Sequence, residues 1–332
     1  MEITLTIIAV VLLGLFFDYT NGFHDAANVV STVIATRALT PLSAIVMAGV
    51  LNFIGATQIS GVAYTISTGL VQAADATQLV VLCAVVAAIF WNLATWYYGM
   101  PSSSSYALVG GLIGAAWAHV GVQTIIWIGV VGKVLIPMVL APFAGFLVSL
   151  GMMKLLLYCI HKKPHTAEWK IFKHLQIGSA CFVALAHGLN DAQKSMGLIT
   201  LGLFAGGYIT TPTIPLWVIM ACAIMMGLGT ASGGFRVIRT VAFSITKINP
   251  VQGFAAEASS SFVILIASFL GMPVSSTHVI TGGITGVGIA KGRSAVRWRT
   301  PQKLILTWIL TLPGAAALGA LMYTLLNIFH LQ

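Results

Sequence analysis

Two clusters of ionisable and hydrogen-bonding side chains interrupt long apolar runs in this 332-residue sequence. The first reads NGFHDAAN from Asn21 to Asn28, and the second reads HGLNDAQKSMG from His187 to Gly197. Each holds an Asp followed by Ala, Asp25 and Asp191, with Gly22 or Gly188 three residues earlier. A carboxylate buried in hydrocarbon is costly unless it is paired or lines a wet cavity, so both Asp residues call for a partner. The glycines predict weakened, discontinuous signature helices whose freed backbone groups face a bound ion. Asn28 and Lys194 follow the two Asp residues by three positions and share their helical faces. Lys194 either neutralises Asp191, touches an anion or snorkels to the interface. His24 and His187 add imidazoles, the side chain suited to proton exchange near neutral pH or to a core hydrogen bond.

Hydroxyls form the second kind of cluster. Ser102, Ser103, Ser104 and Ser105 follow Pro101, while Ser275, Ser276 and Thr277 follow Pro273 by two positions or more. A Pro just before each run suits a helix start, where its missing N–H is not needed. The next residues present free backbone N–H groups and hydroxyl donors at the positive end of a helix dipole. Two such starts converging near mid-membrane make a donor-rich cradle for an anion without a fixed cation. Asn92, Glu257, His278 and Asn21 are further polar groups in supporting positions, and Asp75 and Glu168 read as loop charges.

The elements that must carry these groups are membrane helices. Only 7% of the residues are charged and 58% are hydrophobic, against roughly a quarter charged in a soluble domain; a soluble enzyme is excluded. Apolar runs cover 3–35, 42–59, 79–118, 122–160, 177–204, 214–229, 251–290 and 304–329, several longer than the roughly 20 residues of one crossing. The first run has no basic region before it and no Ala-x-Ala after it, so it is not read as a signal peptide. The run 122–160 predicts one crossing plus an interfacial piece. Cys83, Cys159, Cys181 and Cys222 stand singly, as small buried hydrophobes do. The net charge of +9 is scattered over short loops, unlike the continuous basic face of a nucleic-acid binder.

The chain repeats itself. GMPSSSSYALVGGLIGAA at Gly99–Ala116 matches GMPVSSTHVITGGITGVG at Gly271–Gly288, an offset of 271 − 99 = 172 with 8 of 18 positions identical. NGFHDA at Asn21 matches HGLNDA at His187, an offset of 187 − 21 = 166. The division is therefore a first repeat at 1–160 (signature 22–28, hairpin around 99–118), a basic cytoplasmic connecting loop at 161–174, and a second repeat at 175–332 (signature 187–197, hairpin around 271–290). Arg236, Arg239 and Lys247 precede the second hydroxyl run and Lys291, Arg293, Arg297, Arg299 and Lys303 follow it, whereas the corresponding stretches of the first copy lack Lys and Arg. Arg37 follows the first signature, and no basic residue lies near its counterpart. Because cytoplasmic loops collect Lys and Arg, the two copies are expected upside-down to each other, with both termini outside. The fold class expected is an all-α integral membrane protein, an inverted-topology repeat with two re-entrant hairpins containing Ser and Thr.

These motifs resemble the inorganic phosphate transporter (PiT) family, in its bacterial low-affinity permease type. The resemblance rests on GFHDAAN, HGLNDAQKSMG and the two GMP hairpins, and covers essentially the whole chain. It implies uptake of inorganic phosphate with sodium or protons across the cell inner (plasma) membrane. It implies a substrate site from Asp25, Asn190, Asp191, Ser103, Ser104, Ser105, Ser275, Ser276 and Thr277, and a coupling-ion site from His24, Asp25, Asn28 and Asp191. The family's usual Asn before the first Asp is His24 here, a pattern resembling proton-coupled bacterial members that carry metal–phosphate. A proton is thus favoured over sodium, a co-transported divalent metal–phosphate is allowed, and so is a homodimer; no resident cofactor is expected.

Physics and resemblance meet in one mechanism. Phosphate near neutral pH keeps an acidic proton, so the hairpin N–H and hydroxyl groups can donate to its bare oxygens while Asp25 or Asp191 accepts from its P–OH. Sulfate has no proton to offer. No GxxxxGKS nucleotide cradle is present, which predicts secondary transport by alternating access. A sulfate permease of the same superfamily is the alternative. A hydrolase using Ser105 or Ser276 with His278 and Asp191 fits poorly, because one nucleophile does not need a duplicated polar half.

Overall fold

In the computed structural model, residues 4–160, 165–233, 237–238 and 245–328 are described, with side chains of the 165–169 segment set aside. The principal elements are helices: α1 (Leu5–Ala35), α2 (Pro41–Ala56), α3 (Gly61–Thr68), α4 (Gln78–Tyr97) and α5 (Ser104–Val120) in the first half. A long α6 (Trp127–Ile160) closes that half. Then come α7 (His165–Ala205), α8 (Leu216–Ser232), α9 (Pro250–Phe269), α10 (Ser276–Lys291) and α11 (Arg299–Ile328). Helices α1, α4, α6, α9 and α11 are each long and apolar enough to cross a bilayer, and α2 with α3 adds a span bent by 66°. The run 122–160 holds one helix long and apolar enough to cross, preceded by a 3₁₀ turn at Val122–Thr124 and entered through a π-turn at Val130–Leu135.

The duplication is visible element by element. Helices α4, α5 and α6 begin at 78, 104 and 127, and α9, α10 and α11 begin 172 residues later, at 250, 276 and 299. Packing exchanges the halves: α5 lies on α11 as α10 lies on α6, and α1 lies on α8 as α2 lies on α7. The shared glycines allow this, since a Cβ on Gly114 would stand 1.9 Å from the Ala316 carbonyl and one on Gly286 2.4 Å from that of Phe146. The equivalent helices α1 and α7 run antiparallel. Near one end Gly202 faces Val10, then Ile199 faces Gly14, and at the other end Thr36 Oγ1 donates to Gln176 at 2.8 Å.

The hairpins turn alike. The Met100 N–H bonds Thr95 O at 2.9 Å and Met272 bonds Ala267 O at 2.8 Å, while Gly99 and Gly271 sit at φ of 63° and 66°. This is a helix C-terminal cap that only a residue without Cβ adopts freely. Ser103 and Ser275 then act as N-caps, their hydroxyls accepting from Tyr106 N and His278 N. The hairpins open at opposite ends. The ends of α1, α4, α5, α7 and α11 meet around a cavity of about 460 Å³ lined by Thr4, Gln78, His119, Ala205, Tyr208 and Tyr323. Arg37, Lys170, Lys173, Lys291 and Arg293 mark the other end.

Three expectations are corrected. Helices α1 and α7 run unbroken through both signatures. Gly22 and Gly188 serve helix contact instead, since a Cβ would lie 2.6 Å from Met226 O or 2.1 Å from Asn52 O. Pro101 and Pro273 are not at helix starts; each lies two residues before its Ser cap, in extended chain. The connecting segment is already helical from His165, so 165–174 extends α7 instead of forming a loop, while 161–164 lie outside the described residues. Arg236, Arg239 and the side chain of Glu168 also lie outside them, and Asp75 sits in a turn as expected. A Gly188→Ala variant is expected to lose about 1–3 kcal/mol through overpacking against α2. Thermal unfolding in detergent measures it, and an unchanged midpoint would show that α2 yields freely.

Candidate functional site

The antiparallel signature helices bring their carboxylates together. One ligand atom each of Asp25, His187 and Asp191 lies within 4.8 Å of the others, and all three residues are buried. Asp25 Oδ1 is met by His24 Nδ1 at 2.9 Å and by the Thr277 hydroxyl at 3.2 Å, and Oδ2 by the Ser104 hydroxyl at 2.8 Å. One carboxylate thus holds the starts of both hairpin helices. Asn28 donates to two residues of α10, Thr277 Oγ1 at 2.8 Å and Ser276 Oγ at 3.4 Å.

Lys194 settles its own alternatives. It is fully buried, and its ammonium donates to Asp191 Oδ1, to the Ser105 hydroxyl and, at 3.0 Å, to Val274 O. It neutralises Asp191 and ties α7 to both hairpins; it does not snorkel. The other oxygen of Asp191 lies 3.1 Å from His187 Nε2, whose Nδ1 is 3.0 Å from Asn52 Oδ1. One oxygen of Asp191 is therefore taken by an ammonium of the chain itself. Ser105 donates to Val274 O at 3.1 Å, so the tips of the two hairpins touch. The first N–H groups of α5 and α10, at Ser104, Ser105, Ser276 and Thr277, lie outside their helices' own bonding ladders by helix geometry and converge there.

Other expected residues are placed differently. Asn190 donates to Ser268 Oγ at 2.7 Å and to Met272 O at 3.2 Å, holding the turn of the second hairpin. Glu257 accepts from Thr32, Ser179 and Gln176, a polar knot two turns along α1 from Asp25. His278 stacks on Trp308 with ring centroids 3.9 Å apart and lies 5.2 Å from Tyr106. The amides of Asn21 and Asn92 are buried without hydrogen-bond partners among the described residues. Thr95 and Ser102 were missed as partners of His24: Nε2 lies 3.2 Å from Thr95 Oγ1, which lies 2.8 Å from Ser102 Oγ. Thr95 belongs to an apolar helix and carries no signal in sequence except its hairpin. The four cysteines are free.

The charge count explains what such a site demands. Two carboxylates and one ammonium leave one net negative charge unless an imidazole is protonated, in surroundings where unpaired charge is costly. Donor-rich helix starts at the same point favour an anion. Fold and composition together define a duplicated, all-helical membrane transport protein.

The chain belongs to the phosphate transporter family, whose model matches residues 21–319. It is 42% identical over 324 residues to a probable low-affinity inorganic phosphate transporter of Bacillus subtilis, covering 96% of this chain and 97% of that one. A protein of the same description from Rhizobium meliloti is 41% identical over 319 residues, covering 96% and 95%. One from Mycobacterium bovis is 44% identical over 323 residues, covering 97% and 78%. Among solved structures, the chain is similar to one titled "The sodium-dependent phosphate transporter", with a TM-score of 0.90, 26% identity and coverage of 98% and 100%. The relatives are transporters, not enzymes, and the hydrolase reading falls away.

Proposed function

We propose that this protein is a secondary transporter that takes up inorganic phosphate together with protons, by alternating access of its two halves around the Asp25–Asp191 site. The observation that carries the reading is Asp25 held by Ser104 of one hairpin and Thr277 of the other. Phosphate replaces those hydroxyl contacts, taking donors from Ser104, Ser105, Ser276 and Thr277 and giving its own P–OH to Asp25 or Asp191. Ser103 and Ser275 keep the helix starts in place. The proton is favoured because His24, not an amide, lies against Asp25 and because the Lys194 ammonium takes one oxygen of Asp191. The structural neighbour is titled sodium-dependent, which makes sodium the competing ion. The basic end, with Arg37 and Lys291, is assigned to the cytoplasm and both termini to the outside of the plasma membrane.

The test is labelled phosphate uptake into liposomes containing only this protein, with proton and sodium gradients imposed separately. Accumulation driven by the proton gradient is expected, with little competition from unlabelled sulfate. Accumulation driven only by sodium would overturn proton coupling. Sulfate uptake exceeding phosphate uptake would make the protein a sulfate permease.

A further inference from the structure

Among the described residues, four acidic side chains lie within the membrane helices, and three have at least one oxygen held by a hydrogen bond. Asp25 is held by His24, Ser104 and Thr277, Asp191 by Lys194 and His187, and Glu257 by Thr32, Gln176 and Ser179. Asp18 is the exception. It is fully buried, and neither carboxyl oxygen reaches a donor at hydrogen-bonding geometry among the described residues. The Ser195 hydroxyl of α7 and the Cys222 thiol of α8 are the side chains that face it. The Ser195 hydroxyl and the amide of Asn21, one turn further along α1, are also without partners.

A buried carboxyl with only a hydroxyl and a thiol beside it, and no cation in contact, needs a positive charge of its own. Hard metal cations are held by about six or more oxygen ligands, and the Asp18 carboxyl with one hydroxyl and one amide oxygen does not supply that number. We propose that Asp18 carries the coupling proton, an inference that rests on the proton-coupled reading of the site. Asp18, Asp25 and Thr32 recur at intervals of seven on one face of α1, so Asp18 lies about 10 Å from Asp25, on the side of the Thr4 cavity. That is the outer side in the orientation assigned above, from which the proton arrives.

The charged and titratable groups around Asp18 are Asp191 and Lys194 from α7 and Cys222 from α8. His24 and Asp25 follow on its own helix, α4 carries Cys83 as its one buried titratable group, and α2 carries none. Glu257 of α9 meets α1 at Thr32, and α10, which carries His278, meets it at Asp25 and Asn28. Protonation of Asp18 forms one O–H bond and removes a negative charge beside the Asp191–Lys194 pair as phosphate enters. Release of that proton after the site opens to the inside returns the carboxylate and completes the cycle.

Asp18→Asn mimics the protonated acid in shape and cannot titrate. Wild-type and variant proteoliposomes are compared under an inward proton gradient, with external monoanionic phosphate held constant and internal pH read by a trapped dye. The wild type is expected to accumulate phosphate and acidify the lumen. The variant is expected to equilibrate phosphate without accumulation and without phosphate-dependent acidification, and to lack one carboxylic-acid stretch in the infrared difference spectrum. A variant that still accumulates phosphate with the proton gradient overturns the role of Asp18 and leaves proton coupling standing. A wild type that does not respond to the proton gradient overturns the coupling reading itself. If Asp18→Asn does not give monodisperse protein, Asp18→Glu decides: retained coupling with a shifted pH response is expected, and an unshifted response refutes the proposal.

Discussion

Replacing Asp25 or Asp191 by Asn is expected to reduce phosphate uptake about ten- to a hundredfold at subsaturating phosphate. The magnitude follows from the ~1.5–3 kcal/mol that a hydrogen bond to a charged group contributes. The Asp25 carboxylate accepts from His24, Thr277 and Ser104 at once. An Asn offers one acceptor oxygen and turns an NH₂ toward hydroxyls that were donating, so the join between the hairpins loosens as well. The preference over sulfate narrows in the same variants, because the acceptor for the P–OH proton is gone while the donors to the bare oxygens remain. Uptake of labelled phosphate with sulfate as competitor measures both effects. Unchanged uptake and unchanged selectivity in both variants would remove the carboxylates from substrate recognition.

Lys194→Ala is expected to be the most damaging single change to the folded state. It leaves Asp191 fully buried without its cation and removes the links to Ser105 and Val274. Breaking one partner out of a buried ion pair costs about 3–5 kcal/mol, whereas removing both partners together costs far less. The thermal midpoint in detergent should therefore fall sharply in Lys194→Ala and partly recover in Lys194→Met combined with Asp191→Asn. Transport should be lost in both, since the double variant also lacks the acceptor. A single variant that melts with the wild type would show that Asp191 finds its charge balance elsewhere. Strict additivity in the double variant would show that the two side chains do not act as a pair.

Much of this protein is written locally. The apolar runs and the 172-residue offset sufficed to locate both hairpins, because helix formation and Gly-capped turns depend on neighbours in sequence. The scarcity of charge made Asp25 and Asp191 conspicuous for the same reason that their burial is costly. Gly22 and Gly188 read in sequence as helix-weakening, but they let another helix approach, as Gly114 and Gly286 do. A Gly near a polar residue is the same sequence signal whether it breaks a helix or lets another backbone approach. Asp18 escaped because an acid in an apolar helix becomes informative only when its neighbours are known. Glu257 looks identical in sequence yet is met by three donors.

The sequence by itself determined the class of protein, the duplicated halves, the basic end and the residue types available to an anion and its accompanying cation. These follow from composition, periodicity and charge, which act along the chain. Tertiary structure alone decided that the inverted helices α1 and α7 pack so that Asp25 meets Asp191, and that the tips of opposed hairpins touch at Ser105 and Val274. It alone decided that Lys194 lies against Asp191. Those outcomes depend on which helices of the opposite half pack together, and that is set by backbone approach at glycines and by the balance of buried charge between segments far apart in sequence.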